Sequence, residues 1–372
     1  MASDISLEGN PLNVVMRFAP NPNGPLTLGH ARGVVVNNYL AKKYGGKLVL
    51  RFDDTDPAIK RPLPEAYGWI SQDMEWLDAK PDKVVVASER IELYYGYAEK
   101  LIKSNHAYVC MCEGGEFKRY KDAGKPCPHR DRGAEENHAE WIKMVEGGFE
   151  EKQAVLRIKT DLNNPDPALR DWVAFRIIKT PHPLAGDKYC VWPMLDFESA
   201  VEDHLQGVTH VIRGKDLQDS GKRQKYLYDY LGWTAPEIIL WGRIRIEGLG
   251  KFSTSLMHKD ILEGRYTGWD DPQLPTLRAL RRRGYKPESV TRFMLDLGVS
   301  NNDVSVSMET LDTINRSRID GEANRYYFIE NPIKLTIGGA REKEVKKPIH
   351  PTHRDRGIRE THVLPLNGVL DV

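Results

Sequence analysis

Short apolar runs alternate with longer segments of mixed polarity through the first 105 residues. Val14–Phe18 is β-prone and mostly apolar, which predicts a strand. Three prolines and a glycine follow in Pro20-Asn21-Pro22-Asn23-Gly24-Pro25, a run that only a loop accommodates. Gly29 to about Tyr44 predicts a helix, with Val34, Val35, Val36, Tyr39 and Leu40 as its packing surface. Lys47–Phe52 is the next strand. Ala66–Trp76 and Glu89–Lys103 are predicted helices, with the β-prone Val84–Val86 between them. Strands alternating with helices imply a parallel sheet with right-handed crossovers.

The rhythm breaks near His106. A loop-rich stretch runs to about Lys188 and holds three of the four cysteines. Alternation then resumes: Phe197–Leu205 as helix, His210–Arg213 as strand, Lys222–Leu231 as helix, Glu237–Trp241 as strand. This order predicts an α/β fold, a Rossmann-type doubly wound parallel sheet interrupted by an inserted α+β domain. Asp271 to about Glu330 looks helical, and after Asn331-Pro332 the chain turns β-like, with Ile333–Ile337 as a strand.

Composition narrows the classes only a little. The 372 residues are 40% hydrophobic and 29% charged, ordinary for a soluble globular protein. No apolar run approaches the ~20 residues of a membrane span, and the N-terminus lacks the basic and apolar regions of a signal peptide. Four cysteines do not make a disulfide scaffold, so a cytoplasmic location and no membrane partner are expected. The net charge of +1 points neither toward nor away from nucleic acid, since a basic face can hide in a balanced total.

Two segments carry candidate nucleotide chemistry. In Thr27-Leu28-Gly29-His30 a proline-stiffened loop enters a helix start. Glycine there admits a nucleotide close to the backbone, the helix N-terminus offers free N–H groups, and His30 adds a donor for charge developing on a phosphate. Lys251-Phe252-Ser253-Thr254-Ser255, preceded by Gly248 and Gly250, is a hinged loop whose lysine and hydroxyls can close over a triphosphate. There is no GxxxxGK[ST] and no GxGxxG, so P-loop and dinucleotide readings have no support. Taken singly, each segment is more often a plain helix start or a surface loop.

Together and in this order they resemble the His-x-Gly-His and Lys-Met-Ser-Lys-Ser motifs of class I aminoacyl-tRNA synthetases. Thr27 stands for the first histidine and Thr254 for the second lysine. Lys251, Arg243 and Arg245 are candidates to make up the missing cation. Arg17-Phe18-Ala19-Pro20, Arg51-Phe52-Asp53-Asp54-Thr55-Asp56 and Gly207-Val208-Thr209-His210-Val211-Ile212-Arg213-Gly214-Lys215-Asp216 narrow the resemblance to the glutamyl and glutaminyl enzymes, over nearly the whole chain. The variant motifs resemble the archaeal-type glutamyl form.

The resemblance implies ATP with Mg²⁺, L-glutamate and tRNA(Glu) as reactants. Whether tRNA(Gln) is also used stays open, and a monomer is expected. The nucleotide would meet Thr27, Gly29, His30, Arg243, Lys251, Ser253, Thr254 and Ser255, with Thr27, Gly29, His30 and Lys251 at the reacting phosphate. The amino acid would meet Arg17, Ala19, Asn21, Asp53 and Arg213. Asp53, at the end of a strand, suits the α-ammonium. A forked guanidinium suits the side-chain carboxylate, and Arg213 is assigned that role. In glutaminyl relatives the position of Arg213 is small and uncharged, so Arg213 favours glutamate. Leu195 departs from the family's frequent tyrosine, and Arg51 reads as a structural ion-pair partner. The rival readings are a glutaminyl enzyme, a tRNA-modifying paralogue, and a non-catalytic tRNA-binding relative.

Cys110-Met111-Cys112 and Cys127-Pro128-His129 offer three thiols and an imidazole, a set that suits structural zinc. The alternative is four unlinked residues. Some glutamyl enzymes bind zinc at such a place, in the insertion that grips the tRNA acceptor end. Arg278, Arg281, Arg282 and Arg283 form a basic patch in a region that in the family lies against tRNA; the plain alternative is a solvated helix face. The resulting partition is 1–105 and 190–245 for the two halves of the catalytic domain and 106–189 for the insertion. Residues 246–330 would hold the lysine loop and a helical stem-contact domain. Residues 331–372 resemble the start of an anticodon-binding β-barrel, and so few cannot close one, which predicts a C-terminally incomplete chain.

Overall fold

The computed structural model describes residues 5–9, 11–247, 253–324, 330–331, 336–338, 343–363 and 369–371. Two compact units are present, Met1–Thr310 and Leu311–Val372. In the first, β1 (Val15–Phe18), α1 (Leu28–Lys43), β2 (Lys47–Phe52), α2 (Pro64–Trp76), β3 (Lys83–Val86) and α3 (Ile91–Lys103) follow in order. β1, β2 and β3 pair in parallel, with Val15 opposite Lys47 and Val49 opposite Lys83. β2 is buried at five consecutive positions, as expected of a strand covered on both faces. In α1 the β-branched Val34, Val35 and Val36 are nearly or wholly buried, so packing overrides their modest helix propensity. At Gly46, where α1 turns into β2, a Cβ would run into the Val14 carbonyl, so only glycine fits.

The insertion is more regular than its sequence suggests. β4 (Ala107–Cys110), α4 (Gly114–Asp122), α5 (Ala134–Val145), β5 (Val155–Ile158), β6 (Val173–Ile177) and β7 (Val191–Pro193) build an antiparallel sheet in the order β4-β5-β6-β7. Its core is aromatic: Phe175 lies 5.1 Å from Trp141 and 4.7 Å from Phe197 between ring centroids. Val191–Pro193 still pairs with β6, so the return to the parallel sheet falls after Pro193 and not at residue 190.

That return consists of α6 (Leu195–Leu205), β8 (His210–Gly214), α7 (Gln218–Leu231) and β9 (Glu237–Trp241). β8 and β9 are parallel, and the Thr209 N–H donates to the Val15 carbonyl at 3.0 Å, which starts β8 beside β1. Next come β10 (Ile244–Glu247), α8 (Thr254–Leu262), α9 (Leu277–Arg282), α10 (Pro287–Asp296), β11 (Val304–Ser307) and α11 (Met308–Ile319). The stretch expected to be helical thus contains a strand, β11, parallel to β10. In the second unit β12 (Thr336–Gly338) pairs antiparallel with β15 (Val369–Asp371), and β13 (Lys343–Pro348) with β14 (Ile358–Val363). Of the strand expected at Ile333–Ile337, residues 333–335 lie outside the described residues. No described helix is long and apolar enough to cross a membrane.

Candidate active site

The carboxyl ends of β1 and β8 open on a cavity of about 280 Å³ lined by Arg17, Phe18, Ala19, His30, Asp53, Leu195, Ser199, Arg213, Gln224 and Trp241 among others. A crevice at the carboxyl ends of strands is where an open α/β sheet binds ligands. Five residues singled out by sequence therefore meet in one place: Arg17, Ala19, His30, Asp53 and Arg213. Asn21 does not line it. Its amide donates to the Asp53 carbonyl at 3.0 Å and so braces the backbone behind Asp53.

The charges in this cavity are unevenly paired. Arg51, fully buried, donates to both oxygens of Asp53 at 2.5 and 3.2 Å, to Asp203 at 2.6 Å and to Ser199 at 2.9 Å. The Arg17 Nε donates to the same Asp203 oxygen at 3.0 Å. Burial opposes ionisation of Asp203, but Arg17 and Arg51 outweigh it and hold the carboxyl below its ordinary value. Arg213 differs. It is 6% exposed, and its Nη1 donates to the neutral side-chain oxygen of Gln224 at 3.0 Å. Burial, reinforced by the positive charge of Arg17, pushes its pKa down to about 10. A buried guanidinium whose hydrogen-bond partner is a neutral amide can take an anion.

Sequence reasoning missed Gln224, Ser199 and Asp203. Glu198, Ser199, Glu202 and Asp203 are all buried in α6 among Phe197, Ala200 and Val201. A buried acidic helix face is the signal, but its partners lie far away in sequence.

The segment at the start of α1 is built around a reciprocal cap. Thr27 is the N-cap. Its hydroxyl accepts the His30 N–H at 3.4 Å, while His30 Nδ1 accepts the Thr27 N–H at 3.2 Å. With Nδ1 accepting, the imidazole proton sits on Nε2. The position that holds histidine in the family motif thus serves here as a helix cap. No acidic side chain occupies the first turn of α1, so its positive end is left uncompensated. A Cβ at Gly29 would meet nothing closer than Thr27 Oγ1 at 3.6 Å, so protein packing does not require glycine; the space is open on that side.

Lys251 and Phe252, with Gly248 and Gly250, lie outside the described residues. Ser253 caps α8 by accepting the Leu256 N–H at 3.1 Å. The Thr254 methyl packs where a Cβ on Gly24 would stand, so the two motif segments touch across 230 residues of chain. Ser255, Arg243 and Arg245 are exposed and do not line the cavity.

α9 is tied to the same region. The Leu28 N–H donates to Pro275 and the Leu277 N–H to Leu26, both at 2.8 Å. The four arginines do not form one face. Arg278 donates to Gln72 at 3.1 Å beside the Trp69 ring, Arg282 pairs with Asp270 at 3.4 Å, and Arg283 donates to Tyr285 at 3.0 Å. Arg281, Arg282 and Arg283 are exposed.

In the insertion, the ligand atoms of Cys110, Cys112, Cys127 and His129 lie within 4.8 Å of one another. Cys110 and Cys127 sulfurs are 4.0 Å apart, and Cys112 Sγ is 3.3 Å from His129 Nδ1. Tetrahedral zinc with bonds of about 2.3 Å spaces its sulfurs about 3.8 Å apart, so these residues fit the ion. Their surroundings are a small separate core of Tyr108, Phe117 and the three cysteines. A second cavity of about 450 Å³ shares Leu195 with the first and is edged by Lys118, Lys121, Arg157, Arg170 and Arg223.

Comparison with known proteins agrees with this geometry. Residues 13–321 match the family of tRNA synthetases class I (E and Q), catalytic domain, and residues 323–365 match the anti-codon binding domain of the same group. A glutamate–tRNA ligase of Methanococcoides burtonii is 58% identical over 349 residues, 93% of this chain and 61% of that protein. One from Archaeoglobus fulgidus is 58% identical over 339 residues, 91% and 62% respectively. The chain spans about three fifths of the length of the curated relatives it matches. The crystal structure of a glutamate tRNA ligase from Elizabethkingia meningosepticum, in complex with its amino acid, is similar with a TM-score of 0.58 at 23% identity. It covers 82% of this chain and 70% of that one, a likeness of fold.

Proposed function

The chain belongs to the class I (E and Q) tRNA synthetases, and on that footing we propose that it forms the catalytic part of an enzyme that ligates L-glutamate to tRNA with ATP. The observation that carries this reading is Arg213, a buried guanidinium whose side-chain hydrogen bond goes to the neutral amide of Gln224, in the same cavity as Asp53 and His30. The glutamate side-chain carboxylate pairs with Arg213. Its ammonium lies toward Asp53, and its α-carboxylate is left free to react. An α-carboxylate oxygen attacks the α-phosphorus of ATP, forming the acyl-phosphate bond of glutamyl-adenylate as the bond to pyrophosphate breaks. The terminal adenosine hydroxyl of tRNA then attacks the acyl carbon, and AMP leaves.

No side chain needs to act as a covalent nucleophile. The Nε2–H of His30 and the free N–H groups of α1 stabilise charge on the phosphate, and Mg²⁺ neutralises the remaining phosphate oxygens. Lys251 and Ser253 close over the pyrophosphate. Arg281, Arg282 and Arg283 supply phosphate contacts for tRNA, and the zinc-fitted cluster folds the insertion that receives the acceptor end. Glutaminyl activity is disfavoured, because a neutral amide would leave Arg213 buried and uncompensated.

The test is single-turnover aminoacylation with radiolabelled glutamate and glutamine, each offered separately with tRNA(Glu) and tRNA(Gln). Glutamate transfer is expected. Transfer of glutamine in its place, or of neither, refutes the assignment.

A further inference from the structure

A second arginine, Arg32, is buried without a carboxylate and is not part of the cavity wall. It lies on α1 two residues beyond His30 and is 2% exposed. Nη1 donates to the Gly242 carbonyl at 3.1 Å and Nη2 to the Gly298 carbonyl at 2.7 Å, while the guanidinium lies 4.5 Å from the centre of the Trp241 ring. Among the described residues no carboxylate pairs with it. Two carbonyls, an aromatic face and the carboxyl end of α10, which Gly298 terminates in the left-handed region at φ 63°, carry the compensation. Nε has no partner, and burial lowers the pKa. Such a cation is expensive to bury and contributes little to folding, so its position needs another reason.

The three groups it touches supply one. Trp241 lines the cavity together with His30. Gly242 is wedged against Asn302, where a Cβ would collide with backbone, and its N–H donates to Ser300 at 2.8 Å. One residue later the Arg243 N–H donates to Asp303 at 2.7 Å, and β10 begins at Ile244. Arg32 is therefore the strut between the helix that carries His30 and the root of the segment that carries the lysine loop.

We propose that Arg32 is a positioning residue for adenylate formation, setting Trp241 and the Gly242–Arg243 turn ahead of β10 against the start of α1. This rests on the reading of the cavity as a glutamate-activating site. Loss of the strut leaves Arg213 and Asp53 in place, so glutamate binding is retained while the reacting groups on the two walls lose alignment. A misplacement of about 1 Å costs up to about a hundredfold in rate.

The experiment measures tRNA-dependent pyrophosphate exchange for the wild type, Arg32→Lys and Arg32→Met at temperatures where circular dichroism shows all three folded. The expected result is a fall in kcat of about tenfold for lysine, which keeps the charge but reaches one carbonyl, and about a hundredfold for methionine, with the glutamate KM within about twofold of wild type. If Arg32→Met does not fold, Arg32→Lys alone decides. An unchanged kcat in a folded variant overturns the proposal, as does a loss that merely follows the unfolded fraction. A wild type inactive with glutamate refutes the reading of the cavity instead.

Discussion

Replacing Arg213 with methionine should remove glutamate use without weakening the fold. The two effects have opposite origins in the same geometry. Folding strips water from the guanidinium and gives it one hydrogen bond, to Gln224. The resulting drop of its pKa to about 10 is equivalent to about 3 kcal/mol at most. The folded value lies below the unfolded one, so at every pH under about 10 the charged side chain costs stability, and methionine relieves that cost. Gln224 loses its partner, which takes back about 1 kcal/mol. The net expectation is a stability between unchanged and about 2 kcal/mol higher in urea unfolding. Activity moves the other way. A buried carboxylate deprived of its cation loses about 3–5 kcal/mol, or roughly 10² to 10⁴ in kcat/KM for glutamate. The assay is aminoacylation with saturating tRNA across a glutamate titration. A kcat/KM within about threefold of wild type would show that Arg213 does not hold the substrate. A loss of more than about 2 kcal/mol of stability would show that it holds the fold.

Two other sites give independent expectations. Purified protein should contain one zinc by mass spectrometry, and Cys110→Ser or Cys127→Ser should lose the metal and lower the thermal midpoint; metal-free protein of unchanged midpoint would contradict the fit of those four residues. Asp73 is buried, accepts the Leu26 N–H at 2.9 Å, and burial pushes its pKa up to about 7, with Arg278 and Arg281 opposing. Because the folded value exceeds the unfolded one, the stabilisation from the neutral acid is present below pH ~4 and is lost as pH rises through about 7. Asp73→Asn should flatten that limb in urea unfolding between pH 4 and 8, by ~4 kcal/mol at most, and a slope identical to wild type would refute the shift.

The parallel sheet was legible because strands covered on both faces must be written as nearly unbroken apolar runs, and Val14–Phe18 and Lys47–Phe52 are written so, while Glu237–Trp241 is as apolar though only partly covered. β11 was not, although Val304-Ser305-Val306-Ser307 alternates with period two, since four residues between two helical stretches carry too little periodicity to stand out. The insertion misled for a related reason. Its strands are three to five residues long, and two whole helices separate β4 from its partner β5, so the pairing is set by long-range contacts that local pattern does not encode.

The same limit divides the site. That Arg17 and Arg213 face one pocket followed from their places near the ends of two β-prone runs, which fold as β1 and β8. Which of the two is available to a substrate did not follow, because that depends on Asp203. This one carboxylate, 186 residues from Arg17 and 152 from Arg51, accepts from both. α6 brings it within hydrogen-bond reach of Arg17 and Arg51, while the hydrogen-bond partner that α7 brings to Arg213 is Gln224. A carboxylate at residue 224 would pair Arg213 as Arg17 is paired and close the anion site. On the proposed reading, specificity for an acidic side chain rests on a neutral residue as much as on the arginine. A variant Gln224→Glu, nearly the same in shape, should weaken glutamate binding almost as much as loss of Arg213 itself, through charge satisfied within the protein and so withheld from the substrate.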